Sequence, residues 1–249
     1  MASKNDARAQ REARARLRAY EERQQNHSIR VSRRKRDNWL IGIAVAVVVT
    51  LATLSQVAFV MTKSNENSSS TAASTVPDKS ISQNRTWNGT MTIAGVPLAF
   101  TLDGAAAPQA VASTVSLINN EFYKGISCHR LTTEGIYVLQ CGDPQGTGSG
   151  GPGYSYGPVE NAPANNVYPA GTIAMARQGG NANSMGSQFF IVYKTSTIPA
   201  DAAGGYTVIG QITSGLPQLI ADVTSRGVQN NATDGAPVVN TLIETISIK

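Results

Sequence analysis

Trp39–Met61, "WLIGIAVAVVVTLATLSQVAFVM", runs for 23 residues without a charged side chain, and nothing else in the sequence restricts the chain as much. A helix of that length covers the roughly 30 Å hydrocarbon core of a bilayer. A buried core helix fits poorly, because a run this long and apolar all round offers no face to water. Arg33, Arg34, Lys35 and Arg36 precede the run, and only Lys63 and Glu66 follow it closely. That asymmetry places the N-terminus in the cytoplasm and everything beyond the run outside. A cleaved signal peptide is the competing reading. Its basic region would be far too long, and no clean Ala-x-Ala site follows the apolar stretch. The expected organisation is a basic cytoplasmic tail over 1–38, a transmembrane anchor over 39–62, a flexible linker over 63–84 and a folded domain over 85–249.

Charge follows the same division. Residues 1–38 hold 12 Lys/Arg against 5 Asp/Glu, whereas the other 211 residues hold 9 against 11. The basic balance therefore belongs to the tail, and a slightly acidic folded part argues against a nucleic-acid partner. The tail has helix-forming residues but almost no apolar stripe beyond Leu17 and Tyr20. It either rests on anionic lipid or only sets topology. The linker, "SNENSSSTAASTVPDKSISQ", is Ser/Thr/Asn-rich, and about twenty such residues reach roughly 25 Å.

From Arg85 the texture becomes that of a folded domain. Trp87–Ile93 and Val96–Leu102 read as strands around an Ala94-Gly95 turn, and Pro108–Asn120 as a helix opened by proline. Cys128–Leu131 and Tyr137–Cys141 are strand-like around Glu134-Gly135. Residues 142–170 are rich in glycine, proline and asparagine and read as loop. Further strands are expected at Gly171–Ala176, Gln188–Tyr193, Tyr206–Ile212 and Val238–Ile248, with a short helix at Pro217–Ser225. Many short strands and two helices predict a mainly β fold, a closed eight-stranded antiparallel barrel capped by two α-helices.

Several motifs lead nowhere. Gly146, Gly148 and Gly151 match G-x-G-x-x-G, but "PGYSYGP" follows and cannot open a phosphate-binding helix. With His27 on the cytoplasmic side, a Ser-His-Asp site would have His129 alone to draw on. Two cysteines and one nearby histidine have no zinc-site spacing. What remains is a set of polar groups among apolar ones. In "GSQFFIVY", strand parity puts Phe189 and Ile191 on one face and Gln188, Phe190 and Val192 on the other. An amide beside a phenyl ring suits a pocket that holds both a peptide backbone and an apolar ring. A two-residue turn at Glu134-Gly135 would place Arg130 opposite Leu139 and next to Gln140. The bland alternative is a surface arginine and a core phenylalanine.

"FYKGISCHRL", "VLQCGD", "GTIAMAR", "GSQFFIVY" and "YTVIGQI", in this order, resemble the cyclophilin family of peptidyl-prolyl isomerases over about Trp87–Lys249. The resemblance implies an antiparallel barrel with two helices, rotation about X-Pro bonds of proline-containing polypeptides, and neither cofactor nor metal. Arg130, Gln140 and Phe190 are the residues implied to carry catalysis. Arg130 matches the catalytic arginine, Gln140 would orient it, and Phe190 matches the floor of the proline pocket. Tyr137, Val138, Met175, Ala176, Arg177, Gln178, Gln188, Ile198, Pro199 and Tyr206 are implied to bind substrate, Gln188 by gripping a carbonyl. Two extra residues between Arg130 and Gln140 leave the wall open to two alignments. Counting back from Gln140 selects Tyr137, the choice taken here, and counting forward from Gly135 selects Ile136. A tryptophan common in the family is replaced by Ile198, which has no N–H to offer, so any cyclosporin binding should be weakened. The function expected is folding assistance to extracytoplasmic proteins. The alternative is a proline-segment binding module of the same fold without turnover.

Cys128 and Cys141 pull in two directions. An extracytoplasmic pair invites a disulfide, and the two-residue turn would make them direct partners. Face parity opposes it. Arg130 and Gln140 must share the active face, which sends the two sulfurs to opposite faces unless a bulge intervenes. The functional constraint outweighs the turn, and two free thiols are expected.

Overall fold

A two-residue turn fixes the first hairpin. Ala94 and Gly95 both adopt positive φ, 52° and 75°, the handedness that suits a tight connection between twisted strands. It joins β1 (Thr86–Ile93) to β2 (Val96–Asp103), with Ile93 opposite Val96. Alternate residues of both strands are buried, as a sheet with one face on the core requires. Gly89 is one of them because the Phe100 ring lies over it. A Cβ there would stand 2.2 Å from Phe100 Cζ.

The computed structural model describes residues 75–249. The tail, the apolar run and most of the expected linker lie outside the described residues. Among those described, no helix is long and apolar enough to cross a membrane. The last linker residues do have structure. Lys79–Ser82 forms a 3₁₀ turn capped by the Asp78 side chain. Trp87 Nε1 donates to Ser82 O at 2.8 Å and Gln109 Nε2 to Pro77 O at 2.9 Å. The domain therefore begins several residues before Arg85.

The remaining elements are α1 (Pro108–Asn119), β3 (Arg130–Thr132), β4 (Val138–Cys141), β5 (Val167–Tyr168), β6 (Thr172–Met175), β7 (Phe189–Val192), β8 (Ser196–Thr197), β9 (Val208–Ser214), α2 (Leu216–Asp222), β10 (Asp234–Gly235) and β11 (Ile243–Ile248). Proline opens α1, and the Gln109 and Ala110 N–H groups, which have no partner within the first turn, donate to the Glu160 carboxylate at 3.1 and 3.0 Å. Nine strands form one curled antiparallel sheet in the order β10-β3-β4-β7-β6-β9-β2-β1-β11, and β5 and β8 form a separate ribbon. Gly125 N donates to Ile243 O, and Cys128 N to Thr241 O, so the segment before β3 bonds the start of β11 and the residues just before it. The expected eight-stranded count missed β5, β8 and β10, each two residues long and without a hydrophobic period to announce it.

The sheet has apolar contacts on both faces at its centre. Phe189 and Ile191 of β7 enter the main core with Leu131, Leu139 and Ile173. Phe190 and Val192 enter a smaller cluster with Val138, Tyr168, Ala174 and Ile198. Strand parity in "GSQFFIVY" is thus realised on both faces.

The β3–β4 hairpin corrects two expectations. Arg130 pairs with Gln140 and Leu131 with Leu139, one residue off the register a two-residue turn would set. Thr132 closes the wider loop, accepting from Val138 N at 3.1 Å and donating to Ile136 O at 2.8 Å. Cys128 and Cys141 are joined in a disulfide, so the expected free thiols are not found. The parity argument failed because Cys128 and His129 lie before β3 and outside the ladder. Cys128 can turn into the core, 1% exposed, while Arg130 keeps the outer face. The irregularity weighed against the strand is the one the chain adopts.

A cross-link over a sequence separation of 13 is worth about 3 kcal/mol in the chain-entropy account. Reduction should lower the melting temperature by roughly 6–12 °C for a domain of this size. Calorimetry with and without reductant checks it, and the denatured, unreduced protein should take up no thiol label.

Candidate functional site

Adjacent strands bring four side chains into one line of hydrogen bonds. Arg130 on β3 stands opposite Gln140 on β4, which stands opposite Phe190 on β7. Arg130 Nη1 donates to Gln140 Oε1 at 3.2 Å, and Gln140 Nε2 to Gln188 Oε1 at 2.8 Å. Gln188 Nε2 donates to Gly148 O at 3.0 Å and to Gly150 O at 2.8 Å. Those two carbonyls belong to a loop wrapped on Asp143. Its carboxylate, 1% exposed by residue, takes backbone N–H groups from Gln145, Thr147 and Gly148. Burial pushes the Asp143 carboxyl up, but these N–H donors outweigh it and hold it below the usual range.

The other end of the line was not foreseen. Asp234, on the two-residue β10, takes Arg130 Nε and Nη2 on its two oxygens, both at 2.7 Å. Asp234 holds the guanidinium above its ordinary pKa, against the effect of burial, and Arg130 holds the carboxyl below its own. Asp234 is 104 residues from Arg130 in sequence, and no local pattern marks it. Beside them His129 is half-buried. Burial depresses its pKa, Asp143 opposing and Arg130 assisting, and neither ring nitrogen has a hydrogen-bond partner.

Arg130, Gln140, Val138 and Phe190 border a cavity of about 180 Å³, together with Ile136, Ala176, Arg177, Ile198 and Tyr206. Phe190, 5% exposed, meets the Tyr206 ring edge-on at 5.6 Å. Tyr206 is fixed from behind, its N–H donating to Tyr168 Oη at 2.8 Å. A second, more polar hollow of about 330 Å³ adjoins the first. Gln140, Ala176 and Arg177 belong to both, and Gln178, Gln188 and the glycines 148, 150 and 151 line the second.

Four expectations are corrected by this geometry. Tyr137 does not face the cavity. It packs on the opposite side of the strand, edge-on to Tyr193 at 5.9 Å and under Lys194 Nζ at 4.1 Å. Strand parity decides the matter, because positions 136, 138 and 140 share a face and Ile136 is the residue that lines the hollow. Met175 is fully buried in the main core, since it pairs with Phe189 while Ala174 pairs with Phe190. Pro199 is exposed and borders neither hollow. Gln188 is not free to grip a substrate carbonyl, because both protons of its amide are committed to Gly148 and Gly150. Gln140 has one amide proton on Gln188 and a second left for a ligand.

Arg177 lies at the site as expected, but its guanidinium is committed elsewhere. Its side chain is 0% exposed and acts within the domain. It pairs with both Asp201 oxygens at 2.9 and 2.8 Å, and donates to Gly205 O, Gly204 O and Gln178 O. The guanidinium lies 4.8 Å from the Tyr206 ring centre. Hydrogen bonding to Asp201 raises the Arg177 pKa, and Asp201 is driven well below the usual carboxylate range in return. The side chain therefore ties the 201–206 loop, and Tyr206 with it, to the end of β6.

The model of the family described as cyclophilin type peptidyl-prolyl cis-trans isomerase/CLD matches residues 89–247. A protein named probable peptidyl-prolyl cis-trans isomerase B from Mycobacterium tuberculosis strain H37Rv is 41% identical over 151 residues, 56% of this chain and 47% of its own length. Peptidyl-prolyl cis-trans isomerase B of Bacillus subtilis is 39% identical over 122 residues, 49% of this chain and 80% of its own. The chain thus spans about half the length of the mycobacterial relatives it matches. Among solved structures, a Cryptosporidium parvum cyclophilin-type isomerase superposes with a TM-score of 0.53 at 26% identity, covering 66% of this chain and 98% of the other. A second crystal structure of that protein, in the presence of the dipeptide Ala-Pro, matches with the same TM-score at 25% identity, covering 65% and 98%.

Proposed function

This chain belongs to the cyclophilin-type peptidyl-prolyl cis-trans isomerases, and from that premise we propose that it catalyses rotation about X-Pro peptide bonds. The observation that carries the reading is a donor at the rim of an apolar hollow: Arg130 beside a cavity floored by Phe190. The barrier to rotation, about 18–20 kcal/mol, is amide resonance, and no bond is made or broken in crossing it. A catalyst must hold the proline ring, hold the flanking chain, and favour the twisted amide over both planar forms. Phe190, Ile136, Val138, Ile198 and Tyr206 enclose the ring. The second Gln140 amide proton and the backbone at Ala176–Gln178 take the flanking chain. In the twisted amide the proline nitrogen regains a lone pair. Three of the five Arg130 N–H donors are committed to Asp234 and Gln140, which leaves two to meet that lone pair as it forms. A donor engaged only in the twisted state speeds the reaction without tightening the ground state.

The full-length chain in detergent should accelerate cis-to-trans conversion of an Ala-Pro peptide. Binding of the peptide without acceleration would favour the non-catalytic binding module instead.

The same reading includes an uncleaved anchor over residues 39–62 and a catalytic domain outside the cytoplasm, acting on proline-containing chains there. The uncharged run and the arginines before it support this. Ile198 in the cavity wall has no hydrogen-bond donor, so cyclosporin affinity should be weak. Protease added to intact cells should cut between Ser64 and Thr75 and release an active fragment. Full protection would invert the orientation, and a mature protein starting near residue 60 would indicate a signal peptide.

A further inference from the structure

We propose that Asp234 is a positioning residue for the isomerisation, holding the Arg130 guanidinium in the one orientation that aims its free N–H groups into the proline cavity. The inference rests on the isomerase reading and adds a residue that the resemblance did not supply.

Its geometry is built by backbone as well as side chain. Asp234 pairs with Thr132 and Gly235 with Leu131, so β10 is a two-residue ladder on the outer edge of β3. Thr133 N donates to Thr233 O at 2.8 Å and extends it. Asp234 is therefore a diagonal neighbour of Arg130, two residues from its direct partner, a separation that long side chains span. Both carboxylate oxygens are used on the same guanidinium edge, Nε and Nη2. Gln140 takes Nη1. A planar fork fastened on two sides cannot turn about its own axis.

The arrangement matters because, Asp234 apart, only the 3.2 Å bond to Gln140 holds the guanidinium of Arg130. Its side chain is 39% exposed and Asp234 is 52% exposed, so the pair contributes little to stability. An unfastened arginine at that exposure samples many rotamers. A carboxylate also reduces the net positive charge near the site, which would be a disadvantage if charge developed in the reaction. Rotation about an amide develops no net charge. What the twisted nitrogen requires is an N–H dipole at a fixed place, and a fastened guanidinium supplies that before substrate arrives.

Asp234→Asn in the 249-residue chain preserves shape, removes the negative charge and leaves one acceptor oxygen where the guanidinium edge uses two. Its kcat should fall roughly tenfold, short of the roughly hundredfold that a 1 Å misplacement can cost, with KM and melting temperature nearly unchanged. In an Arg130→Ala background the same substitution should change nothing. The Arg130 Nε–H proton, followed by NMR, should exchange with solvent faster in Asp234→Asn than in wild type. Unchanged kcat overturns the role, as does an equal loss in both backgrounds, or Nε–H exchange that does not respond. A wild-type chain with no isomerase activity would overturn the isomerase reading itself. An active wild type with a fully active Asp234→Asn would overturn this role alone.

Discussion

Arg130→Ala should lower turnover of an Ala-Pro peptide by about a hundred- to thousandfold, the usual loss on removing one preorganised donor. The melting temperature should move by only a few degrees. The two halves of that expectation have separate causes. In the proposed mechanism Arg130 is the donor that the twisted amide engages, so the loss falls on kcat. Its side chain is 39% exposed and its partner 52%, so little folding free energy is tied to the pair. Substitution also frees Gln140 Oε1 and the Asp234 carboxylate, and both keep access to water. Turnover and thermal unfolding of one preparation test the two halves together. Near wild-type turnover would end the mechanism given above.

Phe190→Ala should do the opposite in one respect, costing both stability and binding. The ring is 5% exposed and packs with Val138, Tyr168, Ala174, Val192 and Ile198. Truncating a buried phenylalanine costs about 3–5 kcal/mol, roughly 6–20 °C in melting temperature for a domain of this size. The cavity loses its floor, so peptide affinity should fall as well. Phe189→Ala is the control. That ring is 3% exposed, lies in the main core and meets Tyr123 edge-on at 5.5 Å. It should cost similar stability and leave peptide affinity, measured well below the transition, nearly intact. Equal loss of affinity in both variants would mean that the two faces of β7 have been assigned wrongly.

The behaviour of that doublet was legible in the sequence because it depends only on the two-residue period of a strand. The same period, applied to 136, 138 and 140, would have chosen Ile136 over Tyr137. Counting back from Gln140 along the family pattern selects Tyr137 instead, because the two extra residues of this hairpin leave the count without a fixed origin. Met175 failed for a related reason. The end of β6 borders the two hollows at Ala176, and Met175, one residue earlier, is on the alternate that points inward. Gln188 was placed in the right neighbourhood but given a role its amide cannot fill, because its partners, Gly148 O and Gly150 O, come from a loop whose path no periodicity describes.

By itself the sequence determined the local quantities: a membrane-length apolar run, the Ala94-Gly95 hairpin, the proline-opened helix, and the alternation that puts Phe189 and Phe190 on opposite faces. These depend on side-chain pattern within a few residues, where the backbone has few choices. The tertiary structure alone decided the register of β3 on β4, the turn of Cys128 toward Cys141, and the approach of Asp234 to Arg130 and of Asp201 to Arg177. A one-residue change in loop length shifts a register without changing any local preference. An ion pair between residues 104 apart exists only once the sheet has brought their strands side by side.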